Sequence, residues 1–265
     1  MVTWDTFKSA QKQVWASFTP MELMTMLAAS RLVDFAGIRA GLHVLDVACG
    51  TGVVGITAAR QGAAVTGLDL TPELLQRARE NAEIAGLDIE FHEGDVETMP
   101  FADASFDVVV SQFGHMFAPR PEITISEMLR VLRPGGVIAF STWPPELFLG
   151  RVFALTGRYL PAPPPGVSPP EEWGDQTIIR QRLGSSVKEI TFGNGTMRIP
   201  ALSVRHARLW SERTIGPVQK VVENLEETQP DRLVTFRREY ETLASQYFQE
   251  NAVIWEFLMT RAMKA

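Results

Sequence analysis

The chain has 265 residues, 45% of them hydrophobic, a net charge of −6 and an isoelectric point near 5.4. That acidic balance argues against a nucleic-acid partner, whose phosphates demand clustered Lys and Arg. The single cysteine, Cys49, excludes an intrachain disulfide framework and a cysteine-rich metal site. No run of eighteen apolar residues is present and residues 1–15 lack the apolar core of a signal peptide, so the expected protein has no membrane span and a cytoplasmic location.

In chain order, residues 1–39 read as two helices. Trp4, Phe7, Gln11, Val14, Trp15 and Phe18 recur at helical spacing, and Thr19-Pro20 starts a second helix over 21–35. Residues 42–47 form an apolar run that reads as a buried parallel strand, and 53–60 as the helix after it. Between them, Gly50 and Gly52 let the backbone turn tightly and leave room for a ligand against bare main chain. Gly50, Gly52 and Gly55 also fit the dinucleotide fingerprint, with Asp69 nineteen residues past Gly50 as its acidic residue. The glycine spacing alone leaves open a nicotinamide or flavin cofactor, S-adenosylmethionine, or a turn with no ligand.

A second strand over 63–70 ends in Asp69, and Thr71-Pro72-Glu73 starts the helix after it. A third strand over 91–100 carries Asp95 just past its end, and a fourth covers 106–113. Arg133-Pro134-Gly135-Gly136 turns a helix into a fifth strand. Strand and helix alternating with short connections demand a parallel sheet with helices on both faces. Residues 143–170 hold eight of the seventeen prolines, so 161–170 reads as an extended surface connection, with helix over 148–160 and again over 171–183. Gly193-Asn194-Gly195 between two alternating runs signals a hairpin or bend. Residues 202–248 read as two or three helices, and 252–263 as a final antiparallel strand. The expected fold is α/β: a doubly wound, mostly parallel seven-strand sheet, with N-terminal helices and a helical cap inserted before the last strand.

Three carboxylates at successive strand ends, Asp46, Asp69 and Asp95, make an acidic rim. Asp69 can accept from both hydroxyls of a ribose and Asp95 from an exocyclic amine such as that of adenine, with Val96 as an apolar face for the ring. Such a rim suits a cationic, phosphate-free nucleoside and repels a pyrophosphate. The segments VLDVACGTG (44–52), TGLDLTPELL (66–75), GDVETMPFADASFDVVV (94–110) and EMLRVLRPGGVIAFST (127–142) resemble the successive motifs of a class I S-adenosylmethionine-dependent methyltransferase of Rossmann-like fold. The likeness is to the small-molecule type that includes the ubiquinone and menaquinone biosynthesis methyltransferases, and it covers about residues 40–143.

The resemblance implies S-adenosyl-L-methionine as cofactor and S-adenosyl-L-homocysteine as product. It implies cofactor contacts from Asp46, Ala48, Gly50, Thr51, Gly52, Asp69, Leu70, Asp95, Val96 and Ser111. Trp4, Phe7, Trp15, Phe113, Met116 and Trp143 are then the lid and substrate candidates. The chain divides on this reading into an N-terminal helical lid (1–39), a cofactor-binding core (40–143) and a remainder of strands plus substrate cap (144–265), within one structural domain. The rival readings are an NAD(P)-dependent Rossmann oxidoreductase and a non-catalytic S-adenosylmethionine-binding protein.

Methyl transfer is an in-line substitution, so placement of the nucleophile is the main task. A base that removes its proton adds typically about 10²–10⁴-fold. The loop after the fourth strand, 111–117, lacks the Asn-Pro-Pro-Tyr run, the Pro-Cys nucleophile and the multiple cysteines of other methyltransferase classes, which leaves O-, C- or N-methylation of a small molecule. His115 is the titratable group on that loop with a suitable ordinary pKa, as base or hydrogen-bond donor, against a packing role. His43 and His92 read as structural, and His206 as a weaker second candidate. Arg205, Arg208 and Arg213 form a modest basic patch: a solvated helix face or a site for an anionic group. The histidines are scattered, so no metal is expected. Trp15, Phe18, Trp143, Phe148, Phe153, Tyr159 and Trp210, with Trp4, suit an apolar or aromatic acceptor such as a quinone or polyketide. Monomer and homodimer both stay open.

Overall fold

The computed structural model describes residues 4–16 and 18–265, the side chain of Asp5 excepted; residues 1–3 of the expected N-terminal helical segment lie outside the described residues. The strands are β1 His43–Val47, β2 Ala64–Asp69, β3 Glu90–Glu93, β4 Phe106–Gln112, β5 Leu132–Thr142, β6 Val187–Pro200, β7 Phe248–Gln249 and β8 Ala252–Lys264. The helices are α1 Trp4–Trp15, α2 Glu22–Ala36, α3 Val53–Arg60, α4 Pro72–Ala85, α5 Pro121–Val131, α6 Phe148–Gly157, α7 Gln176–Leu183, α8 Val204–Thr214, α9 Gly216–Leu225 and α10 Pro230–Ser245. One sheet runs β3-β2-β1-β4-β5-β8-β6, with the short β7 paired to β8. Strands β1 to β5 are parallel to one another, and β8 is antiparallel to both β5 and β6. The expected doubly wound α/β sheet with helices inserted before an antiparallel last strand is therefore present.

Strands in the middle of such a sheet are covered on both faces and read as unbroken apolar runs. Val44, Val108 and Val110 face Leu32 and Val33 of α2 and Ala58 of α3. Leu45, Val109, Ile138 and Phe140 belong to the opposite core, with Met128 and Leu129 of α5. The period of two along each strand divides the side chains between these layers.

Four local expectations are corrected. The segment around Gly193-Asn194-Gly195 neither turns nor bends; β6 runs through it unbroken, paired to β8 residue by residue from Thr191 to Pro200. The glycines there provide room: a Cβ on Gly195 would lie 2.0 Å from the Phe257 ring. The third strand ends at Glu93, because Asp95 Oδ1 accepts from its own chain at Glu97 N (2.9 Å) and starts a turn. Residues 170–174 form a 3-10 turn before α7, which Asp175 caps by accepting from Thr177 N and Ile178 N. Arg133–Gly136, expected as a turn, stands out of the ladder within β5, where the register steps from Phe106↔Leu132 to Val108↔Val137. Among the described residues no helix is long and apolar enough to cross a membrane.

Candidate active site

The parallel strands β1, β2 and β4 all end on one edge of the sheet, and the chain leaves each of them in a tight turn. Ala48 (φ 52°), Gly50 (φ 55°) and Gly52 (φ 82°) take the left-handed conformation after β1. Phe113 does so after β4 (φ 61°), a strained geometry for a bulky residue. The two turns touch: a Cβ on Gly114 would lie 2.6 Å from Ala48 Cβ and 2.7 Å from its carbonyl oxygen, so only glycine allows the approach. The opening so formed is the cavity outside the carboxyl ends of the strands where ligands of open α/β sheets bind.

One end of the cavity is acidic. Asp69 is nearly buried; its Oδ2 accepts from Gly50 N (2.8 Å) and its Oδ1 from Thr71 N (2.9 Å). Asp69 thereby ties the glycine turn to the end of β2. Burial raises its pKa against those two bonds. Asp46 Oδ2 accepts from Gly55 N (2.9 Å) at the start of α3, and burial, opposed by that bond, pushes its carboxyl up to about 7. Asp95 Oδ2 lies 2.5 Å from Lys8 Nζ, which also reaches Glu97 Oε2 at 2.5 Å. Glu97 is wholly enclosed and accepts from Arg120 N, Nε and Nη2 as well. Lys8 of α1 thus closes over the strand-end carboxylates, a role that its sequence context did not signal.

The other end is apolar. Trp15, Phe18 and Met21 face it from the N-terminal segment, Phe113 and Trp143 from the strand ends, and Phe153 from α6. Phe113 stacks on Trp143 at 3.8 Å between ring centres, and Trp255 of β8 meets Trp143 edge-on at 6.0 Å. Trp255 and the turn Ile215-Gly216-Pro217 also line the cavity, and sequence reasoning missed both. Gln112 is a further addition. Its Nε2 donates to Thr25 O (2.8 Å), which fixes the amide, and leaves Oε1 buried with no partner. A lone amide closing an apolar strand was the available signal.

Of the sequence candidates, Asp46, Ala48, Gly50, Thr51, Asp69, Leu70, Asp95 and Val96 line this one cavity, as do Trp15, Phe113 and Trp143. Six do not. Ser111 is fully buried beneath it, donating to Val47 O (2.7 Å) and accepting from His115 N. Gly52 caps α3 and packs beside Ala78 and Phe91. Met116 is in the core, Phe7 is away from the lining, and Trp4 lies against Arg120, 5.3 Å from its guanidinium. His115 is the largest departure. Its ring has no exposure, packs 4.7 Å from Phe140 and 4.5 Å from Trp173, and neither nitrogen has a hydrogen-bond partner. Burial, with the charge of Arg182, pushes it down to about 3.

The basic patch dissolves likewise. Arg208 is buried and paired to Glu212 and Glu241. His206 Nδ1 accepts from Leu202 N at the start of α8. Phe148 and Trp210 face a separate small cavity, and Tyr159 donates to Glu239. Cys49 is buried, and burial raises its thiol well above the ordinary value. Among the described residues no group of three or more His, Cys, Asp or Glu could hold a metal ion.

Residues 44–136 match the family described as a methyltransferase domain. An uncharacterized protein of Mycobacterium tuberculosis is 33% identical over 264 residues, 98% of this chain and 96% of that one. A demethylmenaquinone methyltransferase of Thermus thermophilus is 38% identical over 117 residues, 43% of this chain and 53% of the relative. Among solved structures, a candidate methyltransferase of Bacillus halodurans has a TM-score of 0.61 at 22% identity, covering 89% of this chain and 98% of its own. A SAM-dependent methyltransferase of Aquifex aeolicus has a TM-score of 0.51 at 17% identity, over 93% and 94%; both show a shared fold. Motifs, sheet order and relatives agree: residues 44–136 form a methyltransferase domain, and the chain has the fold of the S-adenosylmethionine-dependent methyltransferases.

Proposed function

We propose that the protein transfers the methyl group of S-adenosylmethionine to a small, apolar or aromatic metabolite. The observation that carries this is the division of one cavity into an acidic half at the ends of β1, β2 and β3 and an aromatic half at the ends of β4, β5 and β8. The cofactor supplies an electrophilic methyl group on a cationic sulfur. Asp69 would hold the ribose hydroxyls, Asp95 and Val96 the adenine, and Asp46 with the turn at Ala48–Gly50 the methionyl group. Asp95 fits that task because its side chain lines the cavity and, although paired to Lys8, stays 23% exposed. Phe113, Trp143 and Trp255 would orient the acceptor in line with the bond that breaks and keep water from it. A demethylmenaquinone methyltransferase among the partial relatives supports a small acceptor of this kind.

Calorimetry tests the cofactor half. Asp69→Asn should weaken S-adenosylmethionine by about 1.5–3 kcal/mol, roughly ten- to hundredfold, as expected for losing a charged hydrogen-bond acceptor. Unchanged affinity in both Asp69→Asn and Asp95→Asn would remove these residues from the site. Radiolabelled transfer into extracted metabolites tests the acceptor half, and label found solely in protein or nucleic acid would overturn a small-molecule acceptor.

A further inference from the structure

The titratable side chains that line the cavity among the described residues are Lys8, Asp46, Cys49, Asp69 and Asp95. All five sit at the acidic end. Lys8 is held by Asp95 and Glu97, Asp69 by two backbone N–H groups, and Asp46 by Gly55 N. What β4, β5, β8, α6 and the start of α9 contribute to the aromatic half carries no Asp, Glu, His, Lys, Cys or Tyr. The side-chain polar atoms there belong to amides, the Thr25 hydroxyl and the indoles of the tryptophans, which do not take up a proton at ordinary pH. His115, the nearest imidazole in sequence, is sealed between Phe140 and Trp173.

We propose, resting on the methyltransferase reading, that the site supplies no base and takes an acceptor that ionises by itself: an oxygen or sulfur acid, a phenol, enol or aromatic thiol, on a flat apolar body. The acceptor gives its proton to water and enters as the anion. Its lone pair forms the new bond to the methyl carbon, the carbon–sulfur bond breaks with its electron pair passing to sulfur, and both products are neutral. Apolar walls favour this reaction over methylation of a neutral nucleophile. The two opposite charges attract strongly where the effective dielectric is low, and both vanish as the bond forms. Phe113 and Trp143, stacked at 3.8 Å, and Trp255 beside them form the kind of wall against which a flat ring lies.

The test uses the full chain with S-adenosylmethionine, whose binding is first established by calorimetry. Substituted phenols and thiophenols, from unsubstituted to nitro-substituted, are offered beside alkyl alcohols and amines of the same size. The expected result is transfer to the acidic members, with the lower limb of each kcat/KM–pH profile moving to follow that acceptor's own pKa; the two series separate oxygen from sulfur. A binding readout accompanies it: 4-nitrophenol mixed with the cofactor-saturated protein should show the absorbance of its anion below its ordinary pKa. A limb fixed at one pH for every acceptor would reveal a protein base and overturn the proposal. So would equal transfer to alkyl alcohols, or no transfer to any acidic member by a protein that binds S-adenosylmethionine. Failure to bind S-adenosylmethionine at all would instead overturn the underlying reading.

Discussion

His115 illustrates how a residue that looks reactive in sequence becomes structural in space. Its ring occupies a core position that could equally hold an apolar side chain, and the cost of keeping it there is paid in acid. The unfolded chain binds the proton at the ordinary value of 6.5, whereas the native one refuses it down to about 3. The unfolded state therefore holds more protons across that window, and stability is complete above pH 6.5 and falls as pH drops toward 3. The slope from this one group is at most about 1.4 kcal/mol per pH unit. His115→Phe should flatten it, measured by urea denaturation from pH 7 to pH 4, and should leave the methyl-transfer rate within about twofold if the ring is outside the chemistry. Asp46 acts in the opposite sense. Its carboxyl is raised to about 7, so the stability linked to its protonation is present below the ordinary value of 3.8 and is lost as pH rises through 7. A buried, half-compensated carboxylate of this kind is tolerated where function needs the charge.

Among the elements, α1 is bound to the rest of the site by ion pairs as well as by the packing of Trp15 on Phe117. Lys8 reaches Asp95 and Glu97, Lys12 reaches Glu93 at 2.7 Å, and Gln11 Nε2 donates to Phe117 O at 2.8 Å. The enclosed Glu97 keeps Arg120 when Lys8 is removed, so its charge stays compensated. Lys8→Met, which retains the apolar stem, should therefore loosen α1 without unfolding the core. Stopped-flow measurements should show S-adenosylmethionine both entering and leaving faster. If the helix contributes about 1–2 kcal/mol of hold, dissociation rises roughly five- to thirtyfold. The partly exposed Lys12–Glu93 pair adds a salt-dependent component to the wild-type rate. Rates that are the same in variant and wild type would show that α1 does not cover the cofactor.

Over the whole molecule, the cavity is roofed by segments far apart in sequence. Gly216 at the start of α9 packs against Val14 of α1, where a Cβ would come within 2.6 Å of the valine side chain. Trp255 of β8 reaches the same space from the far side. A ligand that fills the cavity therefore links the N-terminal helix, the sheet edge and the inserted helices. At a hundredfold excess over its Kd, S-adenosylmethionine should stabilise the fold by about 2.7 kcal/mol, which for a chain of this size raises Tm by roughly 5–10 °C. Thermal denaturation with NAD at the same concentration should leave Tm in place, because a pyrophosphate would face the Asp46–Asp69–Asp95 rim.

The alternation of apolar runs with helical patterns, the glycine turn after β1 and the carboxylates at three strand ends were legible in the chain because each is a local property. Asp69 ends β2, Asp46 stands one residue before the end of β1, and Asp95 lies two residues past the end of β3, which comes earlier than the sequence placed it. Whether a side chain beyond a strand end faces cavity or core was not legible. One left-handed residue, Phe113, re-aims everything after it, so that His115 and Met116 turn inward while Phe117 reaches the cavity. The same holds for Gly193 and Gly195, whose meaning lies in Phe35 and Phe257, partners more than fifty residues away that no local pattern names. Sequence alone thus determined the sheet and its acidic edge. Tertiary packing decided the aromatic half, because side chains brought together from α1, α9 and β8 acquire a common surface only once the chain has closed on itself.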